Sequence, residues 1–230
     1  MKSKTLLIAA AALAAGVMSS SAAVYSQNIV GYVNIDLVGQ GKYTLVANPL
    51  DNGNGNQLTN LLATLPAGSK VLTWNGSGYN QYANVGGNWN GGLNNTALNP
   101  GSGFFVANGK VTGGPYPDIT NTFVGSVAVL SGGSATNAIP LLYSLQGSPI
   151  PLAGSLALSG TSTGDTNFAC GANLTAGSRI LTWNPTTQGY NQYTKAGGIW
   201  NGTAPVNVGD GFFLYNKNGP VTNWVQTAGY

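Results

Sequence analysis

The feature that most constrains the fold of this chain is an internal duplication. The block AGSKVLTWN at residues 67–75 returns as AGSRILTWN at 176–184, and GYNQY at 78–82 returns unchanged at 189–193. The offset changes from 109 to 111, so the second copy has two extra residues in the turn between these blocks. Two copies are too few for a solenoid, which needs three or more repeats. We therefore expect two packed domains or one fused sandwich.

Two further blocks follow in the same order. GGNWNG at 86–91 returns as GGIWNG at 197–202, and GFFVAN at 103–108 returns as GFFLYN at 211–216. The copies are less alike upstream, where FVGSVAVL at 123–130 is predicted to open the second copy. One long strand is thus predicted to end the first module and to begin the second.

The residues within each copy mostly alternate with a period of two. The runs VLTW at 71–74 and ILTW at 180–183 are β-branched and aromatic and are bounded by Gly and Asn, which predicts strands. Turn dipeptides after residue 74 lead directly into the next strand, which predicts a hairpin. A helix is predicted over residues 56–65, capped by Asn56, with its leucines at helical spacing. Because its counterpart in the second copy is much weaker, this helix is predicted to be particular to the first module.

These patterns predict an all-β fold of two tandem, repeated β-sandwich or small-barrel modules with one short helix in the first. The predicted segments are a signal peptide at residues 1–23, a first β module at 24–123 and a second module, which repeats the first, at 124–230.

The N-terminus has the three-part layout of a secretory signal peptide. Lys2 and Lys4 precede an apolar stretch at residues 6–17, and small residues follow, with Ser21 and Ala23 suited to a signal peptidase site. The apolar stretch is short of the roughly 20 residues that span a bilayer. We therefore expect cleavage near Ala23 and a secreted protein, located extracellularly or on the outer cell surface, with no membrane span in the mature chain.

The charge content excludes a nucleic-acid-binding protein. The chain has 8 Lys and Arg against 5 Asp and Glu, and removal of Lys2 and Lys4 leaves six against five. Recognition of nucleic acid needs a dense basic face, which six scattered cations cannot form.

The side chains that most enzymes and metal sites use are missing. The chain has no His and no Glu, so the only carboxylates are those of five Asp residues. We predict a protein that is not an enzyme, with no catalytic residues, no metal site and no cofactor. An enzyme would need paired carboxylates, for which Asp118 and Asp210 are the candidate pair.

The loop at 51–56 looks superficially like a calcium loop, but its acidic residues do not alternate and no Glu closes it, so a polar turn is predicted. The single Cys170 is predicted to be buried.

Each module carries the same four aromatic residues, and these are the candidate ligand-binding side chains. In a sugar-binding site, flat rings stack on pyranose faces while Asn and Gln amides bond the hydroxyls. In the alternative, the rings form the core, since each buries roughly 150–250 Å². Tyr79 and Tyr82 lie three positions apart, so they should point to opposite faces of a strand. The eight residues are Trp74, Tyr79, Tyr82 and Trp89 in the first module and Trp183, Tyr190, Tyr193 and Trp200 in the second.

A family resemblance rests on four short motifs. SQNIVGYVN at 26–34, ANPL at 47–50, TWN at 73–75 and PGSGFF at 100–105 resemble a group of secreted bacterial proteins common in Verrucomicrobia-type lineages. The resemblance covers nearly all of the mature first module and the later half of the second module. The second module lacks a clean ANPL. It implies secretion and assigns no activity or binding residues.

Taken together, the sequence predicts a non-catalytic secreted or cell-surface protein with a structural, matrix or adhesive role. The alternative is a carbohydrate-binding protein with two equivalent aromatic sites. The predicted partners are an extracellular polysaccharide or other copies of this chain, whose sheet edges few lysines protect.

Overall fold

The computed structural model describes residues 30–90, 96–109, 117–127, 133–168, 170–219 and 222–227. The predicted signal peptide lies outside these residues. The described chain has an all-β fold, as predicted, and all its strand ladders are antiparallel. Its sheets are open and pack as sandwich-like layers. None of its helices is of a length and apolarity that could cross a bilayer.

We call the described residues up to Ser126 repeat 1, and those from Ser134 onward repeat 2. Repeat 1 consists of β1 (Val30–Leu37), β2 (Tyr43–Ala47), α1 (Leu58–Leu61), β3 (Lys70–Trp74), β4 (Tyr79–Val85), β5 (Asn88–Trp89), β6 (Gly103–Ala107) and β7 (Ile119–Ser126).

Repeat 2 has the same elements, one additional pair of very short strands and one 3₁₀ turn. They are β8 (Ser134–Ile139), β9 (Leu142–Gly147), β10 (Gly154–Ser155), a 3₁₀ turn (Thr166–Phe168), α2 (Cys170–Asn173), β11 (Arg179–Asn184), β12 (Gly189–Ala196), β13 (Ile199–Trp200), β14 (Pro205–Val206), β15 (Gly211–Asn216) and β16 (Thr222–Thr227). The additional pair is β10 with β14.

The two repeats share one topology. Each has a five-stranded sheet, in the order β2-β6-β3-β4-β5 in repeat 1 and β9-β15-β11-β12-β13 in repeat 2. In each, the first and last strands form a separate ribbon, β1 with β7 and β8 with β16. The duplication seen in the sequence is therefore also a duplication of the strand order.

Each five-stranded sheet has one face on its own core and the other face on the opposite repeat. Phe104 and Phe212 lie in the cores of repeats 1 and 2, whereas the next residues, Phe105 and Phe213, belong to a cluster that joins the repeats. Successive side chains of a strand point to opposite faces, which is why both modules use a Phe-Phe pair at this position. The layers run ribbon, sheet, sheet, ribbon.

The ribbon covers the core in each repeat. In repeat 1, Ile35, Leu37 and Phe123 pack with Phe104 beneath the sheet, and the two phenylalanine rings lie 6.5 Å apart. In repeat 2, Trp224 of β16 lies 5.5 Å from Phe212 in the same position. These clusters place a separate apolar core inside each repeat.

The predicted boundary between residues 123 and 124 falls inside β7. This strand pairs with β1 along all eight residues to Ser126, and Phe123 belongs to the core of repeat 1. The ribbon strand that opens repeat 2 is β8, which begins at Ser134. Pairing with β1 assigns residues 123–126 to the first copy, so the prediction that 123–130 opens the second is wrong for these four residues, and 128–130 lie outside the described residues.

The predicted helix is shorter than expected and has a counterpart in repeat 2. Only one turn, α1, is helical, although all four leucines of the predicted stripe are buried. Asn56 does not cap it, since its φ is +50° and its side chain bonds back to residues 51–52; Gln57 is the cap residue. Repeat 2 has α2 in the same place, so the prediction that the helix is particular to the first module is wrong.

Candidate functional site

Four of the eight predicted aromatic residues lie between the two repeats. Trp74 and Tyr79 of repeat 1 meet Trp183 and Tyr190 of repeat 2 around Phe105 and Phe213. We call this cluster the aromatic interface; its members are Tyr43, Leu45, Leu72, Trp74, Phe105, Tyr143, Leu145, Leu181, Trp183 and Phe213, with Tyr79 and Tyr190 at its exposed rim.

Contacts across the aromatic interface occur in exchanged pairs. Trp74 Nε1 donates to the Tyr143 carbonyl at 3.1 Å, and Trp183 Nε1 donates to the Tyr43 carbonyl at 2.8 Å. The Trp74 ring is perpendicular to Phe213 at 5.4 Å, and the Trp183 ring is perpendicular to Phe105 at 5.1 Å. Such reciprocity is the signature of a two-fold, isologous interface, here formed within one chain.

Backbone contacts repeat the same exchange. Ala47 N donates to the Gly209 carbonyl at 2.8 Å, and Gly147 N donates to the Gly101 carbonyl at 2.9 Å. Gly147 is required for close approach, because a Cβ there would overlap the Cβ of Ala47. These contacts use the edge strands β2 and β9, so those two sheet edges are covered by the opposite repeat.

The two rim tyrosines meet each other. The hydroxyl oxygens of Tyr79 and Tyr190 lie 3.4 Å apart. Burial raises the pKa of Tyr190 above its usual value, and the hydroxyl contact with Tyr79 raises it further. Tyr190 is therefore neutral at physiological pH, and either hydroxyl can donate to the other.

The other four predicted residues pack against the cores. Tyr82 and Trp89 contact the core of repeat 1, and Tyr193 and Trp200 contact the core of repeat 2. Tyr82 is 4% exposed and Tyr79 is 43% exposed, so the prediction that they point to opposite faces is confirmed. Most of the aromatic ring pairs are edge-to-face, and the eight rings do not share one flat exposed platform.

The repeated AGS block forms a tight turn before the central strand of each sheet. Gly68 and Gly177 have φ of +88° and +86°, a conformation that favours glycine. Ser69 and Ser178 follow them and are fully buried, and their hydroxyls accept the backbone N–H groups of Gly109 and Lys217. This block thus has a structural role in both repeats.

The asparagine of the TWN block holds the next hairpin. Asn75 Oδ1 accepts the backbone N–H groups two and three positions further along the chain, at 3.1 and 2.9 Å. Asn184 does the same at 3.0 and 3.1 Å, although its turn is two residues longer. Local side-chain bonds of this kind stabilise turns.

The GGxWNG block forms a second hairpin. Both glycines of each copy have positive φ, 61° and 91° at residues 86–87 and 58° and 91° at 197–198, which is the requirement of a type I′ turn. Asn90 Oδ1 and Asn201 Oδ1 then accept a backbone N–H of the preceding strand at 3.0 and 2.8 Å. The recurrence of all three blocks therefore follows from the fold.

A polar cleft of about 530 Å³ opens beside the aromatic interface, between the loop at 96–103 of repeat 1 and strands β8 and β9 of repeat 2. Within the part of the chain that the structure describes, four amide side chains line it: Asn80, Asn99, Asn137 and Gln146. Trp74, Tyr82 and Thr73 contribute to the repeat 1 wall. We call this feature the amide cleft. Asn80 lies between the predicted ring positions Tyr79 and Tyr82 in the sequence, whereas the other three amides lie in segments with no predicted site residue.

The equivalent position on the other side of the interface is nearly closed. A cavity of about 60 Å³ remains there, lined by Thr182 and Trp183, the counterparts of Thr73 and Trp74. Pro185, from the longer turn, and Asp210 also line it. Gln188 of that turn is bonded to the edge strand of repeat 1, accepting from Tyr43 N and donating to the Tyr43 carbonyl. The two-residue insertion thus makes the two sides unequal.

Each of the five Asp carboxylates accepts a hydrogen bond from a nearby group. Asp118 accepts from Gly39 N at 2.7 Å, and Asp210 accepts from Asn207 N at 2.7 Å. Burial raises the pKa of Asp210, and the Asn207 bonds partly oppose this rise. The other three carboxylates also accept from neighbouring groups: Asp36 from the Thr120 hydroxyl, Asp51 from Gly53 N and Asp165 from Ser155 N. Among the described residues, no three His, Cys, Asp or Glu side chains are grouped as metal ligands.

Residues 51–56 form the predicted polar turn. Asp51 Oδ1 accepts from Gly53 N and from Asn56 Nδ2, at 2.9 and 3.0 Å. Asn52 Oδ1 accepts from the backbone N–H groups of Asn54 and Asn56. These oxygens point into the turn, where they satisfy its own donors.

The prediction that Cys170 is buried is confirmed, since it has no exposed surface. Burial raises the pKa of its thiol to about 12, and the nearby charge of Lys195 partly opposes this. Because only the thiolate is nucleophilic, we expect no reaction of the native protein with a disulfide reagent at pH 8. Full reaction is expected in denaturant.

The same shift predicts a loss of stability in alkali. The unfolded thiol ionises near its usual pKa of 9.0, whereas the folded thiol holds its proton until about 12. The free energy of unfolding should therefore fall between these pH values, and this fall should be smaller in Cys170→Ala. Equal slopes in chemical denaturation of the two proteins would contradict the assigned burial.

Sequence analysis missed one repeated segment that helps to form the interface. The segment 43–50 (YTLVANPL) contains β2 and ends at the buried Leu50. The segment 143–150 (YSLQGSPI) begins inside β9 and ends at the buried Ile150. They share Tyr, Leu and Pro at an offset of 100, which differs from the offset of the later blocks. Alignment of this segment at its own offset would have found Tyr43 and Tyr143.

Comparison with known proteins leaves the geometry as the main basis for a functional conclusion. The chain matches no family model, no curated protein and no solved structure.

Proposed function

We propose that this chain is an exported, non-catalytic protein with a structural or adhesive role outside the cell. The observation that carries the proposal is the aromatic interface, in which the repeated rings join two sheets into one body. A protein that bears load or spaces other molecules needs such internal rigidity. The N-terminal layout of Lys2, Lys4 and the apolar stretch supports export.

The chemistry of the described residues supports a role without turnover. The chain has no His and no Glu, and each Asp carboxylate bonds a local donor. General acid-base catalysis needs a proton-transfer group that can reach a substrate. In this chain the carboxylates stabilise turns and a strand pair instead.

The outer face of the β1-β7 ribbon supports contact with a second molecule, including another copy of this chain. Tyr32 and Val124 are directly opposed in the ribbon and are 74% and 56% exposed. Adjacent to them, the side chains of Asn34 and Thr122 bond each other at 2.7 Å. A small apolar patch with a polar border is typical of a contact surface.

We expect the mature protein to associate in solution as its concentration rises, without added ligand, because the ribbon patch can bury apolar area between copies. Tyr32→Ser combined with Val124→Ser should weaken this association, as measured by light scattering. Val85→Ser is the matched control, since Val85 is 61% exposed but lies at the far hairpin of β4.

Two results would contradict the proposal. One is a combined negative result for the wild-type protein. It would stay monomeric at all concentrations in light scattering, and protease treatment of intact cells would find none of it on the cell exterior. The other is substrate turnover that disappears when one Asp or Ser is replaced.

The alternative of two equivalent aromatic carbohydrate sites has less support. Such sites would need matching exposed rings in both repeats, whereas Trp200 is 1% exposed and the rings of Trp74 and Trp183 face the opposite repeat. This alternative stays a prediction, and the stoichiometry of oligosaccharide binding tests it, because two equivalent sites would bind two sugars per chain.

A further inference from the structure

The amide cleft has the size and accessibility of a ligand site. Its volume of about 530 Å³ lies within the range of roughly 300–1,000 Å³ that is usual for small-molecule sites. It lies where the two repeats meet, with Asn80 and Asn99 on the repeat 1 side and Asn137 and Gln146 on the repeat 2 side. Junctions between domains are common places for ligands.

The lining indicates a neutral ligand rich in hydroxyl groups. None of the described residues that line the cleft carries a charge, so an ionic ligand would find no counter-charge among them. An amide side chain offers both donors and acceptors, as a hydroxyl does, so four amides can bond several neighbouring hydroxyls. Tyr82 and Trp74 lie behind these amides in the repeat 1 wall, since Tyr82 is 4% exposed and the Trp74 ring faces the opposite repeat, so recognition rests on the amides.

Two of the amides are held in place before any ligand arrives. Asn137 Nδ2 lies 3.3 Å from each of three acceptors: the Gly101 carbonyl, the Gly147 carbonyl and Gln146 Oε1. Gln146 Nε2 donates to the Ala138 carbonyl at 3.2 Å. Gly101, with φ of +83°, permits this arrangement, because a Cβ there would overlap the Asn137 amide. Side chains ordered in advance reduce the entropy cost of binding.

The other two amides are exposed and available. Asn99 lies on the loop before β6, and Asn80 lies on β4, where its Oδ1 accepts from Asn75 Nδ2 at 3.2 Å. The cleft thus combines fixed amides on one wall with adaptable amides on the other.

The geometry points to one binding site per chain, in the amide cleft, for a neutral saccharide unit. The equivalent side of the interface retains only about 60 Å³, and Asp210 replaces Ser102 there. This inference goes beyond the structural role proposed above. It also replaces two equivalent sites by a single site formed jointly by both repeats.

The test is isothermal titration calorimetry of the mature protein with neutral hexasaccharides of glucan, mannan, xylan and chitin type, beside an acidic galacturonate hexasaccharide. We expect at least one neutral sugar to bind with a stoichiometry of one, more tightly than the acidic sugar. Asn80→Ala combined with Asn99→Ala should weaken binding about 10-fold or more, the effect of losing one or two hydrogen bonds.

A matched control exists within the duplication. Asn191 occupies in β12 the position that Asn80 occupies in β4, is also exposed, and does not line the cleft. Asn191→Ala should therefore bind as the wild type does. Ala138→Trp, at an exposed position of the repeat 2 wall, should block the cleft without changing the repeat 1 amides.

Several outcomes would overturn the inference. The first is that no neutral sugar binds, and the second is a stoichiometry of two. The third is an equal loss of affinity in Asn80→Ala/Asn99→Ala and in Asn191→Ala, and the fourth is unchanged affinity in Ala138→Trp. Association of the protein is measured without sugar, so failure of the saccharide site and failure of the structural role are separate results.

Discussion

Phe105→Ala is expected to lower the free energy of unfolding by about 3–5 kcal/mol, as large truncations of buried aromatic residues do. Phe105 is 4% exposed and contacts rings of both repeats: Tyr43 and Tyr79 from its own, Trp183 and Tyr190 from the other. The truncation should therefore leave a cavity in the aromatic interface and weaken repeat 2 as well as repeat 1.

The adjacent residue supplies the matched comparison. Phe104→Ala removes the same side chain from the same strand, but Phe104 lies in the core of repeat 1, 6.5 Å from Phe123. Both variants should lose similar stability while differing in where it is lost. Hydrogen exchange followed by mass spectrometry can locate the loss, because protection reports local opening.

Phe105→Ala should reduce protection in β11 and β15 of repeat 2, and Phe104→Ala should reduce it chiefly in repeat 1. Phe213→Ala, the exchanged counterpart, should mirror Phe105→Ala by reducing protection in β3 and β6. If Phe105→Ala left the exchange of β11 and β15 unchanged, the aromatic interface would not couple the repeats.

The duplication and the two-residue alternation were sufficient to predict the fold class. Both repeats follow the same strand order, and the Phe-Phe pairs divide between core and interface as alternation requires. The first ribbon strand of repeat 2 could not be located in this way. β1 and β8 share a place in the fold but little sequence, since a ribbon strand needs only inward apolar residues such as Ile35 and Ile139.

The role of the aromatic residues could not be read from one module. Trp74 lies outside the core of its own repeat. A ring in that position can either bind a ligand or be covered by the other repeat, and the sequence of one module does not distinguish the two. Two copies of a self-complementary surface in one chain can pair with each other, so duplication itself favours the second possibility. The amide cleft was still harder to predict, because its walls come from segments far apart in sequence.

One difference between the repeats has a large expected effect on stability. Asn84 of β4 donates to the Leu65 carbonyl at 3.0 Å, and its counterpart in β12 is a lysine. Lys195 is 5% exposed, and its Nζ donates to the carbonyls of Leu174, Gly171 and Ser162 at 2.8, 2.8 and 3.0 Å. Its ammonium group also lies 5.9 Å from the centre of the Trp200 ring.

The three carbonyls and the ring offset much of the cost of burying this charge. Burial lowers the pKa of Lys195, while the nearby Cys170 thiol raises it to a smaller extent. Three bonds from one ammonium join β12 to the loop at 162, to Gly171 within α2 and to Leu174, which directly follows α2. Lys195 thus stabilises the segment that packs over the core of repeat 2.

Lys195→Met is therefore expected to lower the free energy of unfolding by about 3–5 kcal/mol, because it leaves three carbonyls without their donor and each such loss costs roughly 1–3 kcal/mol. Lys195→Asn, which copies Asn84, should lose less, since an amide at this position can still donate to the Leu174 carbonyl. Chemical denaturation gives both values. Asn84→Ala, which loses the bond to the Leu65 carbonyl and the bond from Gly87 N, is the reference in repeat 1 and should cost about 1–2 kcal/mol. A Lys195→Met protein as stable as the wild type would show that water replaces the ammonium group and that the buried charge contributes no net stability.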